Sequence, residues 1–365
     1  MELPLSVPLA PMLAKPAAGI PQGSFAYEPK WDGFRALVFR DGEEVEILSR
    51  NGRSLNRYFP DLTEAFQQGL PSRCVLDGEI ILISADGRRL DFDLLQQRIH
   101  PAQSRVSLLA GQTPASFVAF DLLALGSRDL TGEPFHERRA QLESVLDAAG
   151  GRLSLTRQTL DPDTAQAWFE RFEGAGLDGV VVKALDGKYE PGKRTMVKVK
   201  HRRTADCVVA GYRVHKSGQD RIGSLLLGLY DGGGNLLSVG VIGAFPMARR
   251  SELFAELQPL VTWDPSHPWS GGEPVPGSRT PRSSEGSRWT GDKDLSFTPL
   301  RPERVVEVAY DHMEGPRFRH PPSFLRWRPD RSPESCGYDQ LDEPVKYNLA
   351  DVLLEPGPVV RAEQP

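Results

Sequence analysis

Tyr27-Glu28-Pro29-Lys30-Trp31-Asp32-Gly33-Phe34-Arg35-Ala36-Leu37-Val38-Phe39-Arg40 runs from a polar approach into an apolar, β-prone segment. Its first half sets an amine two residues before a carboxylate, then a glycine and a guanidinium, a set that suits covalent phosphoryl chemistry. A lysine attacks phosphorus only as the free amine, which calls for desolvation or a neighbouring positive charge. Pro29 fixes the approach of the chain, and Gly33 lets the backbone come close to a ligand. By itself a Lys-x-Asp-Gly tetrapeptide reads as a polar turn before a strand, so its weight depends on the rest of the chain.

That chain has 365 residues, too many for one small core, and two domains are expected. A charged fraction of 25% and a hydrophobic fraction of 39% describe an ordinary soluble protein, and no uninterrupted apolar run has the length of a membrane span. The proline-rich start lacks the basic-then-apolar order of a signal peptide. Cys74, Cys207 and Cys336 are far apart and form no Cys-x-x-Cys pair, which excludes a zinc or disulfide framework and fits a reducing cytoplasm. The net charge of −5 does not advertise nucleic acid, but its distribution is uneven. Lys193 to Arg203 holds six basic residues and no acid, and Arg317 to Arg331 holds five arginines and one aspartate. Either island alone reads as a solvated loop; together they can form a phosphate-binding face.

Asp41-Gly42 separates the strands expected at Phe34–Arg40 and Glu44–Ser49, and Asn51-Gly52 marks a second turn. Helices are expected over 60–70, 135–149 and 162–173. The buried strand read at Cys74–Ser84 is interrupted by Asp77-Gly78-Glu79, two carboxylates where packing alone prefers apolar residues. Strands follow at Phe117–Ala124, Gly179–Lys183 and Met196–Lys200, and alternation in the last puts Lys198 and Lys200 on one face. Beyond Thr204 short strands dominate: Asp206–Val214, Ser224–Tyr230, Leu236–Ile242, Arg304–Tyr310 and Ser323–Trp327, with a helix near 246–258 and a Pro/Gly/Ser-rich stretch over 264–303. Five short strands and one helix suggest a small β-barrel such as an OB-fold.

The distinctive patches keep a fixed order: Lys30-Trp31-Asp32-Gly33-Phe34-Arg35, Ser49-Arg50-Asn51-Gly52-Arg53, Asp77-Gly78-Glu79, Phe120-Asp121, Asp178-Gly179-Val180-Val181-Val182-Lys183, Met196-Val197-Lys198-Val199-Lys200 and Arg326-Trp327-Arg328-Pro329-Asp330-Arg331. This order resembles the covalent nucleotidyltransferase superfamily, and within it the ATP-dependent DNA ligases of the bacterial ligase C type. The resemblance spans nearly the whole chain and implies an α+β protein. A nucleotidyltransferase (adenylation) domain over 1–203, ATP-grasp-like with antiparallel sheets and flanking helices, would precede an OB-fold domain over 204–354 and a loose tail over 355–365. It leaves no room for an appended nuclease, primase or N-terminal DNA-binding domain.

By that resemblance Lys30 is the nucleophile that carries AMP, Glu28 faces the adenine amine and Phe120 stacks on the ring. Arg35 and Arg50 hold ribose, phosphate or the nick; Glu79 and Asp178 hold Mg²⁺, with Mn²⁺ as the alternative; Lys198 and Lys200 neutralise the α-phosphate. Arg328 and Arg331 orient the pyrophosphate. The implied partners are ATP, nicked duplex DNA and other repair proteins, with no membrane, for a cytoplasmic monomer that repairs DNA. Two departures stand out. The fourth motif begins Asp178-Gly179 where Glu-Gly is usual, and the last ends in Arg331 where many ligases have Lys. Alternation from Gly179 puts Lys183 on the face opposite Asp178, so Lys183 is left outside the catalytic set. A core aromatic is the plain alternative for Phe120. The rival functions are an RNA ligase or GTP-using capping enzyme of the same superfamily, and a non-catalytic DNA-binding module.

Overall fold

The computed structural model describes residues 1–147, 150–201, 203–269, 281, 296–341 and 347–354. The chain divides into two compact units, Met1–Lys200 with Pro344–Pro365, and His201–Glu343.

Strands of the first unit are β1 (Leu13–Ala17), β2 (Phe25–Pro29), β3 (Phe34–Asp41), β4 (Glu44–Ser49), β5 (Arg73–Ile81), β6 (Ser116–Leu125), β7 (Arg128–Asp129), β8 (Leu153–Leu155), β9 (Val180–Ala184) and β10 (Arg194–Val199). Its helices before residue 200 are α1 (Pro60–Gly69), α2 (Phe92–Gln97), α3 (Gln103–Gln112), α4 (Phe135–Leu146) and α5 (Pro162–Arg171). A four-stranded sheet runs β1-β10-β9-β2, and a larger one runs β4-β3-β5-β6-β7 with β8 alongside β6. Period-two alternation sorts each strand. In β5, Cys74, Leu76 and Ile80 face a core shared with Leu62 and Phe66 of α1 and Leu142 of α4. Val75, on the other face, joins Leu37 and Phe39 of β3 and Met196 of β10 in the apolar cluster that holds the two sheets together. Asp77 and Glu79 share that second face with Val75. Helix α5 starts where Asp161 accepts bonds from the Asp163 and Thr164 amides and Pro162 takes the first turn, so it is capped by its own sequence. Its Ala165 packs with Tyr27, Val180 and Val182 on the outer face of the small sheet.

The second unit contains β11 (Arg203–His215), β12 (Gly218–Tyr230), β13 (Leu236–Ile242), α6 (Met247–Leu257), β14 (Thr298–Tyr310), the short pair β15 (Met313–Glu314) and β16 (Arg317–Phe318), and β17 (Ser323–Trp327). Five of these strands form an antiparallel sheet in the order β13-β12-β11-β14-β17. Asp231 shapes the β12–β13 turn by accepting from the amides of Gly233 and Asn235. Leu253 and Leu257 of α6 enter the core, and the buried Arg250 guanidinium donates to the carbonyls of Ile222, Gly223 and Gly243.

After this unit the chain returns to the first through α7 (Leu349–Leu354). The sequence-based grouping of 204–354 is therefore corrected at its C-terminal end. Leu349 and Val352, three apart on one helical face, are buried with Trp31, Trp168 and Phe172 of the first unit. The tail 355–365, Trp289 and most of the 264–303 stretch lie outside the described residues. Among the described residues no helix is long and apolar enough to cross a membrane.

Candidate active site

Lys30-Trp31-Asp32-Gly33 is the crossover from the small sheet to the large one, since β2 ends at Pro29 and β3 begins at Phe34. Both ends of this crossover are fixed. The Lys30 amide donates to the Gly179 carbonyl at 2.8 Å, and the Asp178 amide donates to the Lys30 carbonyl at 2.8 Å. Gly179 has φ +115°, and a Cβ there would lie 2.0 Å from the Val199 carbonyl oxygen, so only glycine lets Asp178 meet the lysine in this way. At Gly33 a Cβ would lie 2.1 Å from the Ile80 carbonyl oxygen. The Gly33 amide itself donates to Glu79 Oε1 at 3.1 Å. Trp31 turns away, bonded through Nε1 to Thr156 Oγ1 at 2.8 Å within the core.

Asp178 Oδ2 stands 2.6 Å from Lys30 Nζ and 2.7 Å from Lys200 Nζ. Burial raises the Asp178 carboxyl, but Lys30 and Lys200 outweigh burial and hold it at about 2. Glu79 shows the opposite balance. Burial pushes it up to about 8 because Lys30 and Arg35 oppose desolvation only in part. Lys198 is held below its ordinary value by desolvation and by the charges of Lys200 and Lys30, and the exposed Arg50 adds to the same effect. A carboxylate oxygen of Asp32 lies within 4.8 Å of one of Asp178. Asp178 and Asp32 thus offer neighbouring hard oxygen donors, and Glu79 is near enough to feel the Asp32 charge; a divalent cation such as Mg²⁺ suits such donors chemically.

On the small sheet Glu28 pairs with Val181 in register, and Val181 pairs with Lys198, so Glu28, Lys183 and Lys198 share one face. Lys183 Nζ lies 2.9 Å from Glu28 Oε2, donates to the Phe120 carbonyl at 2.8 Å, and stands 4.9 Å from the Phe120 ring centroid. Arg139 is the second cation near Glu28, at 3.6 Å. Burial raises the Glu28 carboxyl while Lys183 and Arg139 pull it back. Lys183 thus stands beside Glu28 and Phe120, two residues of the candidate set, and not apart from them as the alternation implied. The strand starts at Val180, and the positive φ of Gly179 breaks the alternation on which that parity rested.

Phe120 is half-buried and stands outside the apolar clusters, with Arg35 5.4 Å from its centroid. Asp77, fully buried, fixes Arg35 through two bonds of 3.0 and 2.6 Å and accepts a third from the Tyr189 hydroxyl at 2.6 Å. The neighbouring Asp121 instead clamps Arg138 at 2.8 and 2.9 Å and has a structural role. Asp77, Lys183, Arg139, Tyr189 and Asp32 are residues that the structure places beside the candidate set and to which sequence reasoning assigned no role. The signal for Asp77 was present, since it lies two residues before Glu79 on the same strand face.

The structure thus brings Glu28, Lys30, Arg35, Glu79, Phe120, Asp178, Lys198 and Lys200 together in the first unit, with Arg50 beside Lys198. Arg328 and Arg331 belong to the second unit. There Arg328 Nη1 contacts both Asp206 oxygens at 3.1 and 3.0 Å, and its Nε and Nη2 bond Asp330. Arg331 Nε lies 3.3 Å from Asp206 Oδ2.

Residues 11–200 match the ATP dependent DNA ligase domain, and residues 218–331 match the ATP dependent DNA ligase C terminal region. The chain is 60% identical over 357 residues to DNA ligase C of Mycobacterium tuberculosis, covering 97% of this chain and 99% of that protein. It is 61% identical over 346 residues to DNA ligase C2 of Mycolicibacterium smegmatis, covering 94% and 97%. A more distant relative is the multifunctional non-homologous end joining DNA repair protein LigD of M. tuberculosis, 33% identical over 89% of this chain and 39% of that protein.

Proposed function

The chain belongs to the ATP-dependent DNA ligases, and from that membership we propose how its residues divide the reaction. Lys30 attacks the α-phosphorus of ATP; the N–P bond forms, the bond to pyrophosphate breaks, and AMP stays on the lysine. AMP then passes to the 5′-phosphate at a nick, and the 3′-hydroxyl displaces it to close the strand. One observation supports this division above the others: a single Asp178 oxygen within 2.7 Å of both the Lys30 and Lys200 amines. The carboxylate orients the nucleophile, and Lys198 and Lys200 are read as the groups that neutralise α-phosphate charge.

Phe120 offers a ring face to the adenine, Glu28 an acceptor for its amine, and Arg35, made rigid by Asp77, a donor toward ribose or phosphate. Arg50 extends the positive surface toward the nick. Glu79 and Asp178, with Asp32 beside them, would hold Mg²⁺ or Mn²⁺, which would neutralise charge on the phosphates. We read the second unit as an OB-fold, on its five antiparallel strands and one helix, and its Arg328 and Arg331 as the groups that orient pyrophosphate. Nicked duplex is the substrate, bound through phosphates without regard to sequence and more weakly as salt rises. The likeness to a LigD repair protein supports a role in DNA repair, and three buried free thiols support a reducing, cytoplasmic setting.

Incubation with α-labelled ATP and Mg²⁺ tests the assignment. Wild type acquires a stable AMP adduct and seals nicked duplex, Lys30→Ala acquires none, and α-labelled GTP labels neither. An adduct on Lys30→Ala would move the nucleophile elsewhere.

A further inference from the structure

The two arginines read as pyrophosphate ligands meet on one carboxylate. Arg328 leaves β17 and is held through its amide, which donates to the Val305 carbonyl at 2.9 Å. Arg331 follows one turn later, its amide donating to the Arg328 carbonyl at 3.2 Å. Both guanidiniums then reach Asp206, whose side chain is only 12% exposed. Two like charges this close repel unless an anion stands between them. Asp330 does not fill that place: it is 61% exposed, and its bonds go to Arg328.

Asp206 is also held more firmly than a strand residue needs. Its register partner on β14 is Glu307, whereas the β12 pairing begins only at Val208. On the side β12 leaves uncovered, Gln340 takes over the ladder. Its Oε1 accepts the Asp206 amide at 2.7 Å, and its Nε2 donates to the Asp206 carbonyl at 3.1 Å. A side-chain amide that replaces a missing strand fixes the backbone of this one residue, and so the direction of its carboxylate.

We infer that Asp206 is a positioning residue for the first chemical step: it holds Arg328 and Arg331 as a paired, preset cationic claw for the pyrophosphate leaving group. The inference rests on the reading of those arginines given above. Neutralising the carboxylate lets the guanidiniums splay, so the claw must be assembled anew each time ATP binds. Only the step that expels pyrophosphate suffers. Sealing of a nick that already carries AMP on its 5′-phosphate expels AMP and does not use the claw.

The test measures the single-turnover rate of Lys30 adenylation and, separately, the sealing of a pre-adenylated nick, for wild type, Asp206→Asn, Asp206→Glu and Arg328→Ala. Loss of one charge-assisted contact set predicts adenylation about tenfold slower in Asp206→Asn. Asp206→Glu recovers most of the rate, and the sealing rate stays within about twofold of wild type, less than one such contact is worth. Wild-type adenylation by Asp206→Asn alongside slow adenylation by Arg328→Ala overturns the inference and leaves the reading of the arginines standing. Wild-type adenylation by Arg328→Ala removes that reading and the inference with it. Equal losses in adenylation and sealing for Asp206→Asn mean a merely structural role and also overturn it.

Discussion

Lys183 and Glu28, each 3% exposed at the side chain, form a buried ion pair beneath the Phe120 ring. Removing one partner of such a pair strands the other in a poor solvent. Lys183→Met should therefore cost about 3 kcal/mol, at the lower end of the usual range because Arg139 stays near Glu28. Burial already raises the Glu28 carboxyl, and without Lys183 less opposes it, so Glu28 takes up a proton more readily as pH falls. The penalty should shrink between pH 8 and pH 5, and adding Glu28→Gln should recover more than half of it. Urea unfolding of the two single variants and the double variant measures both effects; additive losses would show that the pair is not coupled. Lys183 also marks the limit of reading residues from order. Lys30, Glu79 and Lys198 announce themselves as polar groups in apolar or β-prone runs. Lys183 sits in a similar run, but its face depends on one backbone angle at Gly179 that no alternation count contains.

Elements with regular patterns were legible for the same reason that they are stable: one apolar face meets one core. β4, β13 and β17 fall where the strands were expected, and α1, α5 and α6 lie within a few residues of the expected spans. β1 and α3 were not anticipated. β1 carries Pro16 and is half-exposed, and α3 buries only Val106 and Leu109, so neither shows the contrast that periodicity needs. The segment leading from α6 toward β14 gives an elemental pH prediction. His267 is 5% exposed, its Nε2 facing the carbonyls of Ala210 and Leu300 at 3.1 and 3.0 Å while Nδ1 accepts the Trp269 amide at 3.1 Å. One proton, on Nε2, satisfies all three contacts; a second, on Nδ1, breaks the last. Desolvation accordingly holds this imidazole below its ordinary 6.5, with the two carbonyls and Asp264 opposing it in part. As pH falls through 6.5 the unfolded chain takes the proton first, so this contribution to stability is present above 6.5 and is lost below it. Thermal unfolding of wild type at pH 7.5 and 5.5 should show a drop that His267→Gln reduces; an unchanged drop would place the acid sensitivity elsewhere.

At the scale of the whole molecule, the chain leaves the first unit at Lys200, builds the second, and returns, so sequence order and structural membership part company at the C-terminus. A linear reading assigns 349–354 to the nearest preceding domain because Leu349 and Val352, buried in a six-residue helix, carry too little pattern to name their partner. The partner is the cluster containing Trp31, the residue after Lys30, and the Leu349 amide donates to the Arg88 carbonyl at 2.8 Å. Leu349→Ala opens a cavity in that cluster and should cost about 2 kcal/mol. For a unit of this size the loss lowers its melting temperature by about 4–8 °C. Calorimetry can tell which unit pays, since ATP stabilises the unit that binds it and raises that transition alone. The ATP-responsive transition should be the one that Leu349→Ala lowers, although the substitution lies beyond the second unit in sequence. If the ATP-insensitive transition moves instead, α7 belongs with the second unit in solution. Should the expected transition move, the adenylation rate of Leu349→Ala becomes informative as well, because Trp31 anchors one side of the Lys30 crossover through Thr156. If Lys30 is the nucleophile as proposed, a loosened anchor gives it more orientations to lose before it can attack, so adenylation slows while the KM for ATP stays near wild type.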